Sequence, residues 1–286
     1  MSKTTIEWTD ATWNPIRGTK GRWHCTHVSE GCRNCYAERL NVRWGGPAYK
    51  PGADTFRLDE KILEQPLHWK NPRKVFVCDM TDLFHEQIPM EWIAKVFICM
   101  AWAQQCEFQV LTKRPKRMLD LLVNPSLKFP IAMCLTGGFL KNVWLGVSVE
   151  DQATADERIP LLLQTPAAVR FVSYEPALGL VQFQHNRCWL DPFHEHDPSF
   201  PRIDWLIVGG ESGPKARPCD VAWIRSAVQQ CQAAKVPVFV KQLGSRWAHD
   251  GGTRWLDQHS YRLNRHSKGG DPSEWPLDLR VREFPN

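Results

Sequence analysis

The sequence predicts an α/β fold, a full or partial (β/α) barrel with an irregular C-terminal extension. Three observations predict it. First, short apolar runs rich in β-branched residues recur along the chain: KVFVC (74–78), FQVLT (108–112), NVWLGVSV (142–149), AVRFVSY (168–174), IDWLIV (203–208) and VPVFVK (236–241). Runs that are apolar throughout are strands covered on both faces, as parallel sheets are. Second, segments of helical apolar spacing alternate with these runs, and six or seven such units fit a barrel, an open doubly wound sheet being the alternative. Third, 286 residues suit one large domain or two small ones, with enough chain to bury a sizeable core.

The elements follow in order. Ala11 to Ile16 (ATWNPI) is a short first strand. A cysteine-bearing loop comes next, then a helix from Cys35 to about Trp44 that the breakers in GGPAYKP end. Arg57 to Trp69 is partly helical and broken by Pro66. The helix from Pro89 to Gln105 opens on a proline, which the first helical turn tolerates. Pro115 to Val123 is the next helix. Asp151 to Leu163 has an acidic first turn, and Asp220 to Ala234 has Asp220 as its N-cap. Between Leu178 and Arg202 the rhythm breaks in a loop insertion, the kind of long loop that often carries function. The expected domains are a barrel over 1–244, with its insertion at about 178–202, and an extension over 245–286 packed on the barrel.

Composition is that of an ordinary soluble globular protein, 43% hydrophobic and 23% charged. The net charge of +5 permits a polyanionic partner without demanding one. Several of the fourteen tryptophans lie near Arg or Lys, which suits base stacking or, equally, a Trp-rich core beside a basic face. The N-terminal stretch has no apolar run, and no segment approaches the roughly 18 apolar residues of a membrane span, so a cytoplasmic protein is expected. Ten cysteines in that compartment are not a disulfide framework. Cys78, Cys99, Cys106, Cys134 and Cys231 sit in apolar runs and read as core residues. Cys188 and Cys219 lie in irregular stretches without an assigned role. Only Cys25, Cys32 and Cys35 share a loop.

In parallel βα architectures the site lies at the C-terminal ends of the strands. The residues there are the cysteine loop after the first strand, Asp79, Thr81 and Asp82 after KVFVC, and Lys113 and Arg114 after FQVLT. Ser148, Glu150 and Asp151 close the WLGV strand, and Glu175 follows RFVSY. WLIV opens into GGESG, which contains Glu211, and the last strand exits into Lys241 and Gln242. Loops are polar in any case, and Asp151 and Asp220 read as helix caps. The GGESG stretch lacks the spacing of a phosphate-binding motif.

Three thiolates converging on one point hold a metal or a cluster and leave one coordination position for something else. Spacing alone leaves three readings open: an iron–sulfur cluster, zinc completed by His24 or His27, or no metal. The run GCRNCYAERL, preceded by Cys25, resembles the cluster loop of radical S-adenosylmethionine enzymes, and its Cys-x-x-Cys-Tyr ending is most similar to spore photoproduct lyase. The blocks TWNPIRG, GCRNCYAE, DMTDLF, LTKRPKRM, NVWLGVSVE, RFVSYEPALG, DWLIVGGESG and VKQLG, from about Trp8 to Gly244, resemble a phage and prophage family of three-cysteine proteins. The superfamily usually has three residues between its first two cysteines; here there are six. Where its glycine motif usually follows the second strand, this chain has Asp79 to Asp82.

The resemblance implies a [4Fe–4S] cluster on Cys25, Cys32 and Cys35, with S-adenosylmethionine on the fourth iron and a 5′-deoxyadenosyl radical that abstracts hydrogen from the substrate. By position, the cofactor-contact candidates are Asp79, Thr81 and Asp82 for the methionyl amine and Ser148 and Glu150 for the ribose, with Glu211 also on the rim. Lys113, Glu175 and Lys241 are the catalytic candidates. The expected partners are S-adenosylmethionine, a DNA or nucleotide substrate and a reductase or flavodoxin-type electron donor, with no membrane. The run Lys113-Arg114-Pro115-Lys116-Arg117 and the basic stretch with Arg254, Arg262, Arg265 and Lys268 suit phosphate contacts. Phage context, implied by the resemblance, points to the host cytoplasm and to rearrangement of an adduct on thymine, as in thymidine hypermodification. Two rivals use the same residues differently. One is a zinc-stabilised nucleic-acid-binding protein without catalysis; the other is a metal-dependent nuclease using Asp79, Asp82, Glu175 and Glu211.

Overall fold

The six apolar runs form strands within two residues of their expected bounds. The computed structural model describes residues 4–123, 139–184, 189–190, 201–250, 253–256, 259–262 and 266–285. Its elements are β1 (Ala11–Trp13), β2 (Ile16–Gly18), α1 (Tyr36–Arg43), β3 (Phe56–Leu58), α2 (Glu60–Leu63), β4 (Arg73–Val77), α3 (Met90–Trp102), β5 (Cys106–Thr112) and α4 (Pro115–Val123). Then follow β6 (Val143–Val149), α5 (Gln152–Gln164), β7 (Val169–Tyr174), β8 (Trp205–Gly209), α6 (Val221–Ala233), β9 (Val238–Gln242), α7 (Ser245–Asp250), β10 (Thr253–Leu256) and β11 (His259–Arg262).

Seven strands are hydrogen-bonded in the order β1-β4-β5-β6-β7-β8-β9. The pairings β1–β4, β4–β5, β5–β6 and β8–β9 are parallel. Each new strand of this sheet adds beside its predecessor, the sequential order that a partial (β/α) barrel has. The chain divides into two compact units, residues 1–148 with 157–171 and residues 149–156 with 172–286.

In the first unit the central strands are covered on both faces; every residue of β6 is buried. The Trp13 and Phe108 rings lie 5.6 Å apart, and Trp13 Nε1 donates to the Ile62 carbonyl at 2.8 Å, so the indole buries without losing its hydrogen bond. Helix α3 places Ile93, Val96, Phe97 and Met100 in the core at helical spacing. Each such side chain contributes about 1.5–3 kcal/mol by leaving water. Gly146 is required in β6, because a Cβ there would stand 2.5 Å from the Phe171 ring. Two expectations change. ATWNPI is not one strand: β1 stops at Trp13, and β2 pairs with β3 as a small antiparallel ribbon. The stretch expected to be helical from Arg57 therefore starts as strand β3, with helix only from Glu60, where the Asp59 carboxylate caps α2 by accepting from Ile62 N at 3.3 Å.

In the second unit β8 is buried throughout, and α6 lays Ile224, Ala227, Val228 and Cys231 along one stripe. Asp220 caps α6, its carboxylate accepting from Ala222 N at 2.8 Å. The extension after residue 244 is more regular than expected. It holds α7, the antiparallel ribbon β10–β11 and two 3₁₀ turns. Its last residues pair with β9: Val240 N donates to the Val281 carbonyl at 2.9 Å and Glu283 N to the Val238 carbonyl at 3.0 Å. This covers a row of main-chain groups that an edge strand would otherwise leave open. Within the expected insertion, Trp189 and Leu190 are buried, while 185–188 and 191–200, and with them Cys188, lie outside the described residues, as does Cys134. No helix among the described residues is long and apolar enough to cross a membrane.

Candidate functional site

The cysteine loop is built from two short pieces of regular backbone. Glu30–Cys32 is a 3₁₀ turn, closed by Cys32 N donating to the Ser29 carbonyl at 2.9 Å. Cys35 is the N-cap of α1. Cys25 and Cys35 pack, with Trp23, Tyr36 and Leu40, against a buried cluster of Ala37, Tyr49 and Met80. Two tyrosines fasten the segment after β4 beneath them: Tyr49 donates to the Met80 carbonyl at 2.6 Å and Tyr36 to the Asp79 carbonyl at 2.8 Å. Cys78, the residue that turns out of β4, is buried in the left-handed region at φ 56. A side chain rarely takes that conformation without surrounding structure to enforce it.

Each of these two sulfurs meets groups that favour an anion. Burial pushes the Cys25 thiol up to about 12, with the Asp82 charge adding to the rise; Arg114 and the Asp82 main-chain N–H oppose it. Burial likewise raises Cys35, against the N–H groups of Glu38 and Ala37 in the first turn of α1 and the charge of Lys113. Orphan N–H groups at a helix start are natural partners for a thiolate. The Cys32 side chain is partly exposed.

The carboxylates nearby differ in what they hold. Burial raises the Asp79 carboxyl, opposed by hydrogen bonds from Asn14, Thr12 and Tyr36; the Asn14 amide donates to it at 2.6 Å. Asp82 accepts from Phe84 N at 3.0 Å, Thr112 Oγ1 at 2.7 Å, Lys113 N at 3.0 Å and Arg114 Nη1 at 3.1 Å. Its two oxygens organise the β5 exit. Thr81 is buried, and its hydroxyl has no hydrogen-bond partner among the described residues. Lys113 donates to Ser148 Oγ at 2.6 Å. His24 is fully buried against Phe56 and Tyr49, and neither ring nitrogen has a partner among the described residues. His27 pairs instead with Glu38 at 2.7 Å.

Within the basic run after β5, Arg114 is spent on the fold, while Lys116 stays exposed. Arg114 pairs with Asp82 at 3.1 Å and Glu86 at 2.9 Å, Lys116 with Asp120 at 2.8 Å, and Arg117 donates to the Ile88 carbonyl at 2.6 Å. The expectation that this run faces phosphates is corrected accordingly for Arg114, whose side chain is only 5% exposed.

In the second unit, Glu175 and Lys241 meet: Lys241 Nζ donates to both carboxylate oxygens at 2.8 and 2.9 Å, and Gln242 Nε2 adds a bond to one of them at 3.0 Å. Glu211 accepts from the guanidinium of Arg217 at 2.6 and 3.0 Å and from its main-chain N–H at 2.7 Å. Glu150 is buried, and Asp151 caps α5 by accepting from Thr154 N at 2.9 Å.

The family model described as "Protein of unknown function (DUF5131)" matches residues 3–273. The chain belongs to the DUF5131 family. No curated protein and no solved structure matches it.

No group of three or more His, Cys, Asp or Glu among the described residues is placed to hold a metal ion. The N–H groups and cations near Cys25 and Cys35 of this DUF5131 chain suit a thiolate ligand to a metal ion or to a cluster alike. Several supporting residues in this DUF5131 chain lay beyond sequence reasoning. Asn14 and Tyr36 lie inside the blocks TWNPIRG and GCRNCYAE and were within reach as neighbours of a strand end and of Cys35. Tyr49, His85 and Glu86 carry no local signal, since their partners are distant in sequence.

Proposed function

We propose that this DUF5131 chain is a radical S-adenosylmethionine enzyme of partial-barrel type, with a [4Fe–4S] cluster on Cys25, Cys32 and Cys35. The observation that carries the reading is the pair Cys25 and Cys35, packed on one buried cluster, Cys25 facing the Asp82 N–H and Arg114, Cys35 the N–H groups of Glu38 and Ala37 and Lys113. A cluster bound there supplies the electron that cleaves the sulfonium of S-adenosylmethionine and so makes hydrogen abstraction from a substrate available. The chain's own residues position and exclude water. Tyr36 and Tyr49 hold the Asp79–Met80 main chain; Asp79 and Thr81, on that segment, are the groups for the methionyl amine. Asp82 serves the β5 exit through its four donors. Lys113, bonded to Ser148, stays close enough to Cys35 to favour its thiolate.

The proposed substrate is a nucleobase adduct in phage DNA, a thymine derivative, and this part rests on the resemblance alone. Since Arg114 is engaged inside the fold, the phosphate contacts this substrate needs fall to other cations. The test is anaerobic reconstitution with iron, sulfide, S-adenosylmethionine and a reductant. The reading predicts 5′-deoxyadenosine. Iron-loaded protein that never forms it, or a colourless protein retaining about one zinc, contradicts the proposal. Equal turnover of a free metabolite, with none on DNA, contradicts the substrate.

A further inference from the structure

Three braces meet on the short segment around Cys25. Asn41, fully buried on α1, accepts Trp23 N on its side-chain oxygen at 3.0 Å and donates to the Pro47 carbonyl at 2.8 Å. Glu38, one turn earlier, holds His27 at 2.7 Å and Tyr49 N at 2.9 Å. The third brace comes from the opposite side, at Thr26. Arg114 Nη2 donates to Thr26 Oγ1 at 2.9 Å and to the Thr26 carbonyl at 3.2 Å. His85 Nδ1 accepts from Gln87 N at 3.2 Å, so the neutral ring carries its hydrogen on Nε2, which donates to the same Thr26 hydroxyl at 2.8 Å.

Arg114 itself cannot swing. Asp82 holds Nη1 at 3.1 Å, and both Glu86 oxygens hold Nε at 2.9 Å. A planar guanidinium with fixed donor directions can satisfy these acceptors at once; a lysine ammonium cannot. The two nitrogens fixed by carboxylates leave Nη2 aimed at the residue that follows Cys25.

We propose that Arg114 is the positioning residue of the first cysteine, a rigid fork that anchors Thr26 to the β5 exit and thereby fixes where the Cys25 sulfur stands. The purpose rests on the cluster reading, because the six residues between Cys25 and Cys32 otherwise leave the first ligand on a long tether. The geometry does not depend on that reading. A loop without this brace opens more often and puts Cys25 into water.

The test uses the full chain without added metal, alkylated by iodoacetamide under native conditions, with each cysteine followed by mass spectrometry. Arg114→Lys keeps the charge and removes the fork; Thr26→Val removes only the hydroxyl and guards against a variant that does not fold. Arg114→Lys is expected to raise the Cys25 rate about tenfold, and Thr26→Val by less, with the buried Cys99 and Cys231 unchanged. A Cys25 rate that does not change, or that rises together with Cys99 and Cys231, overturns the proposal. An Arg114-dependent Cys25 rate in a chain that takes up no cluster upholds the positioning role and removes the cluster reading instead.

Discussion

The strand exits of the two units treat their charges in opposite ways. In the second unit two strand-exit acids meet a base directly: Glu175 with Lys241, Glu211 with Arg217. Such carboxylates are already held by cations, and Gln242 adds a bond to Glu175. In the first unit the acids act as scaffolding. Asp82 and Glu86 hold Arg114, Asp79 holds Asn14, and among the described residues the Thr81 hydroxyl and the His24 ring are left without hydrogen-bond partners. A buried polar group without a partner costs about 1–3 kcal/mol, and a bound group that satisfies it offsets that cost. The first unit, whose described residues leave buried polar atoms unsatisfied, is therefore the stronger candidate for binding a further group.

The largest effect that would break this contrast is at Cys32. Cys32→Ala is expected to abolish iron retention and 5′-deoxyadenosine formation, while Cys99→Ala keeps both and costs a few kcal/mol at most. Full cofactor cleavage in Cys32→Ala would assign the chemistry elsewhere.

Acid stability separates the units next. Burial, then the Arg114 charge, lower His85 from 6.5 to about 4, so the fold keeps it neutral. The unfolded chain takes up the proton first as pH falls. The contribution is therefore complete above about pH 6.5 and lost on the way down to about 4, up to about 3 kcal/mol at about 1.4 kcal/mol per unit. Denaturation followed across that window should lose this slope in His85→Gln, and an unchanged slope would place its origin outside the Thr26 brace.

A smaller effect probes the second unit. Lys241→Met leaves Glu175 short of its cation, at a cost of about 1–3 kcal/mol, reduced from the buried-pair range because both side chains keep some contact with water. Adding Glu175→Gln should recover most of the loss, because it removes the part-buried charge that Lys241 balanced. A double variant as unstable as the single one would mean that Glu175 serves another partner.

Much of the fold was legible because apolar periodicity is local. Pro115 to Val123 forms a helix with the predicted bounds, since the proline opens it and its apolar residues repeat every three or four. The β2–β3 ribbon was not legible: IRG and FRL are too short and too charged to read as strands alone. The three cysteines announced themselves by spacing. Arg114 did not, because an arginine in a basic run looks the same whether it meets phosphate or, as here, carboxylates 28 and 32 residues away. Asp82 was expected to face a ligand for a similar reason: its four donors come from residues that only the tertiary fold assembles.

The most direct measurement is Mössbauer spectroscopy of the chain reconstituted with ⁵⁷Fe, with and without S-adenosylmethionine. Three thiolates holding a [4Fe–4S] cluster leave one iron distinct, and its signal should shift when the methionyl group binds while the others stay. Iron that stays uniform and indifferent to S-adenosylmethionine, or a protein that binds no cluster at all, would contradict the account.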